Sequence, residues 1–152
     1  MGTADIDGKR LMAISEELRQ MAEAMLPPPE PSTPGAPIDP AYVRSVIRLR
    51  RLRDHFFNRK DLFADPAWDM LLDLFAARLE GQTVPVSSLC IASAVAPTIA
   101  LRWIDSLSKQ GMFVRTADPS DGRRVRVQLS EGAADLMEQY IRAVRSDRAM
   151  LG

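Results

Sequence analysis

Between Thr83 and Ser130 the spacing of hydrophobic positions changes from the three-four repeat of helices to the alternation of strands. A short helix is predicted to start at Ser87. A longer one, spanning about residues 96–110, has Pro97 at its first position, where a proline loses no hydrogen bond. The longer helix is predicted to end at Gly111, because glycine commonly terminates helices in the left-handed conformation.

The longer helix is amphipathic. Its apolar face, which we expect to be packed, carries Ala100, Trp103, Ile104 and Leu107. Its other face carries Thr98, Leu101, Arg102, Asp105 and Lys109. The helix can therefore pack on one side and contact a partner on the other.

After Gly111, hydrophobic and polar residues alternate along the chain, a pattern typical of β-strands. Strands are predicted at 112–116 and 124–129, with valines inward and arginines outward, and residues 118–122 form the turn between them. Helix, turn, helix and hairpin in this order predict a winged helix-turn-helix, with the wing at about residues 112–130. Such a fold suits duplex DNA, since the helix can enter the major groove while the wing tip reaches phosphates or the minor groove.

Further helices are predicted on both sides of this module. Asp39-Pro40 and Asp65-Pro66 each combine a side-chain acceptor at the cap with proline at the first helical position. These two helices would run to about Phe57 and Leu79, and a last helix would begin at Glu131. The second of them is expected to supply the core under the module through Trp68, Leu71, Leu72, Phe75 and Leu79.

Residues 1–26 are predicted to form an amphipathic helical arm. Its apolar residues recur at spacings of three and four, at Leu11, Ile14, Leu18, Met21 and Met25. The pattern fits a helix docked on its own domain or one paired with a second subunit, and we favour the dimer contact. Residues 27–38 are predicted to be a proline-rich linker, and residues 39–152 the winged domain. The expected fold class is mainly α with a small β-hairpin wing (α+β), with additional N- and C-terminal helices.

The composition is that of a soluble globular protein, with 46% hydrophobic and 26% charged residues. The N-terminus lacks the basic start and apolar stretch of a secretory signal, so we expect a cytoplasmic protein without a membrane partner. Cys90 is the only cysteine and His55 the only histidine, so neither a metal nor a cofactor is expected. The same scarcity offers no catalytic constellation, and the protein is not expected to be an enzyme. We expect Cys90 to be a buried, inert thiol, and we assign His55 no role.

The formal net charge is zero, but the charge is unevenly distributed. Residues 41–64 carry seven basic and two acidic side chains, and residues 96–130 carry six and three. In the first segment Arg44, Arg48 and Arg51 share one helical face, which we expect to be solvated rather than bound to DNA. DNA affinity is then expected to depend on local geometry and on salt.

In the longer helix at about residues 96–110, which would be the recognition helix, and in the wing, the chain resembles the MarR family of bacterial transcriptional regulators. The similar stretches are Pro97-Thr98 with Arg102 and Asp105, residues 109–115, and residues 118–124, of which the last is the most specific. In that family a wing aspartate helps to hold an arginine that enters the minor groove. The resemblance assigns these roles to Asp121 and Arg123.

Several features depart from the family pattern. Ser120 stands where the family often has a second arginine, and Ile99 and Leu101 stand where small hydroxyl residues are common. These two apolar residues either touch thymine methyl groups or form a surface for a protein partner. The C-terminal helix is also shorter than the pair of helices usual in the family, so the N-terminal arm is expected to compensate in the dimer.

The sequence therefore predicts a sequence-specific transcriptional regulator that binds double-stranded DNA as a homodimer. Two recognition helices would then lie roughly 34 Å apart on a pseudo-palindromic site. The predicted DNA contacts are Thr98, Leu101, Arg102, Arg115, Arg123 and Arg124, with Asp121 orienting the wing. Arg102 could instead pair with Asp105. The resemblance also implies a small-molecule effector in the cleft between the dimer helices and the winged lobe. The alternative is a winged-helix protein-interaction module that does not bind DNA.

Overall fold

The computed structural model describes residues 3–25, 36–59 and 61–151. The chain divides into two compact units, Met1–Pro31 and Ser32–Gly152. The first unit contains the predicted N-terminal helix, α1 (Thr3–Met25), which by itself leaves its apolar stripe exposed. The linker predicted at 27–38 lies mostly outside the described residues.

The second unit is mainly helical. Its helices are α2 (Pro40–Phe57), α3 (Pro66–Leu79), α4 (Val86–Ala92), α5 (Pro97–Lys109) and α6 (Glu131–Leu151). Its strands are β1 (Val84–Pro85), β2 (Phe113–Ala117) and β3 (Val125–Leu129), which form one antiparallel sheet in the order β1-β3-β2. The predicted winged helix-turn-helix is confirmed. The sequence did not reveal β1, because two residues are too few to show an alternation.

The helix starts predicted at the two Asp-Pro pairs are confirmed. Asp39 accepts a hydrogen bond from the backbone N–H of Ala41 at 2.9 Å, and Asp65 accepts one from the backbone N–H of Trp68 at 3.4 Å. These contacts satisfy amides that have no partner within the helix. At its other end α2 stops at Asn58, which takes the left-handed conformation with φ at 49°.

The core lies where α3 packs against the other elements of the winged module. Its largest fully buried apolar side chains are Val43 of α2, Met70 and Leu72 of α3, Leu89 of α4, Ile104 of α5 and Val127 of β3. Of the α3 residues predicted to form the core, Leu72 and Phe75 are buried, while Trp68, Leu71 and Leu79 are partly buried against it.

Three apolar side chains that were predicted to point inward are exposed instead. Trp103 is 39% exposed, and Val114 and Val125 are each 40% exposed. Trp103 lies at the edge of the α5 face, because Ala100, Ile104 and Leu107 fill its buried stripe. Val114 follows the buried Phe113 in β2 and therefore points to the opposite face of the sheet. Val125 shares a face with the buried Val127 and Leu129, but it lies at the end of β3 nearest the wing tip, beyond the core.

The prediction that the arginine face of α2 is solvated was wrong for two of its three residues. Arg44 forms ion pairs with Asp73 at 2.7 Å and with Glu80 at 2.8 Å. Arg51 forms one with Asp69, a buried residue of α3, at 2.7 Å. These arginines therefore join α2 to α3.

Gly111→Ala is expected to lower the free energy of unfolding by about 1–2 kcal/mol, the cost of the left-handed conformation for a residue with a Cβ. Gly111 has a φ of +76°, and a Cβ there would meet nothing within 4 Å, so the cost is in the backbone alone. Gly132→Ala, in the first turn of α6, is the matched control. It also has open space and should be neutral or stabilising by up to about 1 kcal/mol. Urea denaturation measures the change in the free energy of unfolding for both variants. Equal changes in the two variants would contradict the prediction.

Candidate nucleic-acid interface

The turn between α4 and α5 sets the direction of the recognition helix, α5. The two helices are bent by 109° relative to each other, within the range of helix-turn-helix motifs. In the turn, the buried Ser93 donates its hydroxyl to the carbonyl oxygen of Cys90 at 2.5 Å. Ala94 follows with φ at 57°. The start of α5 is thus held by a fixed, strained turn.

The recognition helix presents the predicted DNA-contacting residues on its exposed side. Thr98, Leu101 and Arg102 are all exposed, and Leu101 is 50% exposed. Within the described parts of the chain, the Arg102 side chain makes no hydrogen bond or ion pair. The pairing of Arg102 with Asp105 does not form, which leaves its guanidinium group free for a partner.

Arg115 is placed differently from the other predicted contacts. It is exposed on β2, but its guanidinium donates to Asp105 of α5 at 3.2 Å. Asp105 also forms an ion pair with Lys109 at 2.9 Å, and the hydrogen bonds from Lys109 and then Arg115 lower the pKa of its carboxyl group. This three-residue cluster joins the wing to the recognition helix.

The tip of the wing carries Arg123 and Arg124, both exposed. Asp121 accepts a hydrogen bond from the backbone N–H of Arg123 at 3.1 Å, and its other oxygen lies 4.0 Å from Nε of Arg124. The contact of Asp121 with Arg123 therefore involves the backbone rather than the guanidinium. Among the described residues, the guanidinium of Arg123 has no polar partner.

Asp118 was not predicted from the sequence as a site residue, yet its side chain accepts three hydrogen bonds in the wing. Asp118 is buried and accepts the backbone N–H and the hydroxyl of Ser120 at 2.9 and 2.8 Å, and a guanidinium N–H of Arg126 at 2.9 Å. These bonds, that of the Ser120 amide foremost, hold the pKa of Asp118 well below its ordinary value. Arg126 also donates to the hydroxyl of Thr83, beside β1. The Asp-Pro-Ser order was a usable signal, since aspartate often accepts the amide two residues ahead.

Asp118→Ala is expected to loosen the wing, and faster amide hydrogen exchange at Ser120 measures this. Because folding lowers the pKa of this carboxyl group, its stabilising contribution is complete above its unfolded value of about 4 and is lost as the pH falls toward the folded value. The difference in stability between wild type and variant should therefore shrink in acid. In the control Asp121→Ala, exchange at Ser120 should stay slow, and equal acceleration in both variants would contradict the role of Asp118.

A cleft of about 1410 Å³ lies beside the α4–α5 turn. The end of α2 supplies Asp54 and the exposed His55 to its lining, α4 supplies Cys90 and Ile91, and α5 supplies Ile99. Burial raises the pKa of the Cys90 thiol, which is therefore protonated near neutral pH. Cys90 is only partly buried, which differs from the buried thiol predicted from the sequence, whereas the protonated thiol is the less reactive form.

The described residues contain no group of three or more His, Cys, Asp or Glu side chains that could hold a metal ion. In the same part of the chain, no single helix is both long and apolar enough to cross a membrane.

No family model matches this chain, and no curated protein matches it. Solved structures do. A single-residue mutant of MepR from S. aureus is 14% identical, with a TM-score of 0.50 and coverage of 95% of this chain and 80% of that one. A mutant of MarR from E. coli is 22% identical, with a TM-score of 0.43 and coverage of 69% and 75%. A probable transcriptional regulator from Pseudomonas aeruginosa is 27% identical, with a TM-score of 0.45 and coverage of 72% and 82%. The likeness to MepR shows the fold of this chain, which is the winged-helix fold that the resemblance to the MarR family implied.

Proposed function

We propose that this protein is a MarR-like transcriptional regulator that binds specific sequences of duplex DNA. The observation that carries the proposal is the pairing of an exposed recognition helix with an arginine-tipped wing, joined through the contact of Arg115 with Asp105. MepR, whose fold the chain shares, has been solved in complex with DNA. Fold alone does not fix function, so the proposal depends on the exposed side chains.

Each exposed group has a partner on the duplex. Arg102 suits a guanine edge or a phosphate, and Leu101 suits a thymine methyl group, with Thr98 near the start of the helix. Arg123 and Arg124 suit the sugar-phosphate backbone or the minor groove. Arg115 can contact DNA only if its guanidinium group divides its hydrogen bonds between Asp105 and DNA, or breaks the ion pair with Asp105.

The proposal includes a cytoplasmic homodimer that responds to a small molecule. The apolar stripe of α1 is the surface that we assign to the dimer contact. Two copies related by a twofold axis would place their recognition helices about one turn of DNA apart, roughly 34 Å, and would read a pseudo-palindrome.

The test is fluorescence anisotropy over a salt series, with the DNA upstream of the protein's own gene and with random duplex of the same length. We expect tighter binding to the upstream DNA and a steep fall in affinity as salt rises, because phosphate contacts release counterions. No binding to either duplex at low salt, by protein shown to be folded, would exclude the regulator.

Exposed apolar residues favour one second candidate, a winged-helix module that binds a protein. Ile99 is 45% exposed, Leu101 is 50% exposed, and Ile91 of the neighbouring α4 is 82% exposed. Contiguous apolar patches often mark protein contacts. Ile99→Ser would then abolish binding of a protein partner, whereas a regulator should lose only part of its DNA affinity.

A further inference from the structure

We infer that the recognition helix selects DNA by the C5-methyl groups of its pyrimidines, and that cytosine methylation therefore regulates its binding. The inference rests on the proposed function and deepens it, since it names the chemical group that α5 reads. Thymine carries a methyl group at C5 in the major groove, and 5-methylcytosine carries the same group at the same position. Methylation of a cytosine then gives α5 a contact that cytosine lacks.

Two apolar side chains near the start of α5 lie on its exposed surface. Ile99 is 45% exposed and Leu101 is 50% exposed. Neither belongs to the buried stripe of the helix, which consists of Ala100, Ile104 and Leu107. In a helix-turn-helix, the N-terminal residues of the recognition helix are those that contact base edges. The apolar pair therefore occupies the part of α5 that is best placed to meet the bases.

The chemistry of the pair restricts what it can read. Ile99 and Leu101 neither donate nor accept hydrogen bonds, so they cannot distinguish the O4 acceptor of thymine from the N4 donor of cytosine. The apolar group that a base pair presents in the major groove is the C5-methyl group of its pyrimidine. Apolar contact therefore favours thymine and 5-methylcytosine equally over uracil and cytosine.

The carboxylate of α5 is not free to read cytosine in another way. An aspartate can accept a hydrogen bond from the N4 amino group of cytosine. Both oxygens of Asp105 are already engaged, because Oδ2 lies 2.9 Å from the Lys109 ammonium and Oδ1 lies 3.2 Å from the Arg115 guanidinium. An unmethylated cytosine beside Ile99 and Leu101 is thus left without a contact that would compensate for the missing methyl group.

A guanine reader lies next to the apolar pair. Arg102 follows Leu101 and lies three residues after Ile99, a spacing that makes side chains neighbours on a helix. Its guanidinium group is exposed and has no polar partner among the residues that the structure describes. Arginine commonly donates to O6 and N7 of guanine. We therefore expect the preferred site to contain a 5-methylpyrimidine close to a guanine.

The first experiment compares two duplexes that differ only in methyl groups. Fluorescence anisotropy measures the affinity of the full chain for its upstream DNA and for the same duplex with uracil in place of every thymine. Uracil also pairs with adenine, so the hydrogen-bonding groups of both grooves stay the same. We expect the uracil duplex to bind about 10-fold or more weakly, because each lost methyl contact costs about fourfold and several contacts are lost.

The second experiment tests cytosine methylation directly. Single replacements of thymine by uracil first locate a thymine whose methyl group is read. At that position the base pair is then changed to guanine paired either with cytosine or with 5-methylcytosine. We expect about fourfold tighter binding of the methylated duplex, and this ratio isolates the methyl group because the two base pairs have identical hydrogen-bonding groups.

A protein variant connects the methyl preference to the apolar pair. Ile99→Ser/Leu101→Ser should bring the ratio of the affinities for the thymine and uracil duplexes close to one. Both side chains are exposed, so the variant should remain folded, which circular dichroism checks. The matched control is Ile91→Ser, which changes an apolar side chain that is 82% exposed on α4. It should keep the wild-type ratio.

Equal affinity of the wild type for the thymine and uracil duplexes would overturn the inference without excluding the regulator, and it would leave the apolar pair to a protein partner. Equal affinity for the cytosine and 5-methylcytosine duplexes, or an unchanged ratio in folded Ile99→Ser/Leu101→Ser, would overturn it as well. Binding to neither duplex by folded protein would exclude both the inference and the regulator. The comparisons with wild-type protein decide the matter even if the double variant does not fold.

Discussion

Arg123→Ala/Arg124→Ala is expected to weaken binding to the upstream DNA by about 10- to 100-fold, in line with the usual cost of removing arginine contacts. Both side chains are exposed at the wing tip, and the Arg123 guanidinium has no polar partner among the described residues. The plot of log affinity against log salt should also become less steep by about two, because each lost phosphate contact lowers the slope by about one. Fluorescence anisotropy over a salt series measures both effects.

A control variant must show whether the lost affinity depends on the position of the two arginines or only on the removal of two positive charges. Arg78→Ala/Arg142→Ala removes the same charge from α3 and α6, where the two arginines pair with Glu131 and Glu138 at 2.8 and 2.9 Å. We expect this variant to bind DNA nearly as well as wild type. If it loses as much affinity as the wing variant, general charge attraction explains the binding and the wing assignment is wrong.

Asp69→Asn is expected to lower the free energy of unfolding by about 3–5 kcal/mol, the usual cost of removing one partner from a buried ion pair. Its carboxylate is 4% exposed and accepts from Arg50 at 2.6 Å and from Arg51 at 2.7 Å. Asparagine keeps the size but loses the charge and presents an N–H donor to one of the two arginines. Arg50 would then lose its counter-charge, and Arg51 would keep only its ion pair with Asp54 at 3.2 Å.

Urea denaturation followed by circular dichroism provides the measurement for Asp69→Asn. Asp61→Asn is the matched control, because its carboxylate is 77% exposed and pairs with Arg59 on the surface. Exposed ion pairs contribute little to stability, so this control should unfold at nearly the wild-type urea concentration. Similar midpoints for the two variants would show that the Asp69 cluster does not stabilise the α2–α3 packing.

Elements with local signals could be predicted from the sequence alone. The caps at Asp39 and Asp65 and the terminator at Gly111 depend on contacts a few residues away, and the structure has all three where predicted. The buried stripe of α5 follows from the helical spacing of its apolar residues, which can be seen in the sequence. The wing hairpin likewise joins strands that are close in sequence, and its turn was predicted from residues 118–122.

Which charged side chains form ion pairs or hydrogen bonds within the protein could be seen only in the tertiary structure. Arg115 and Arg102 look alike in the sequence, but only Arg115 meets Asp105, because β2 packs beside α5. The arginine face of α2 meets carboxylates of α3 that lie 18 and 29 residues away in the chain. Arg126 reaches Thr83, 43 residues away, through the β1–β3 pairing. Local periodicity specifies the face that a residue occupies, whereas the partner it meets there depends on packing between distant segments, and that packing also created the cleft around Asp54.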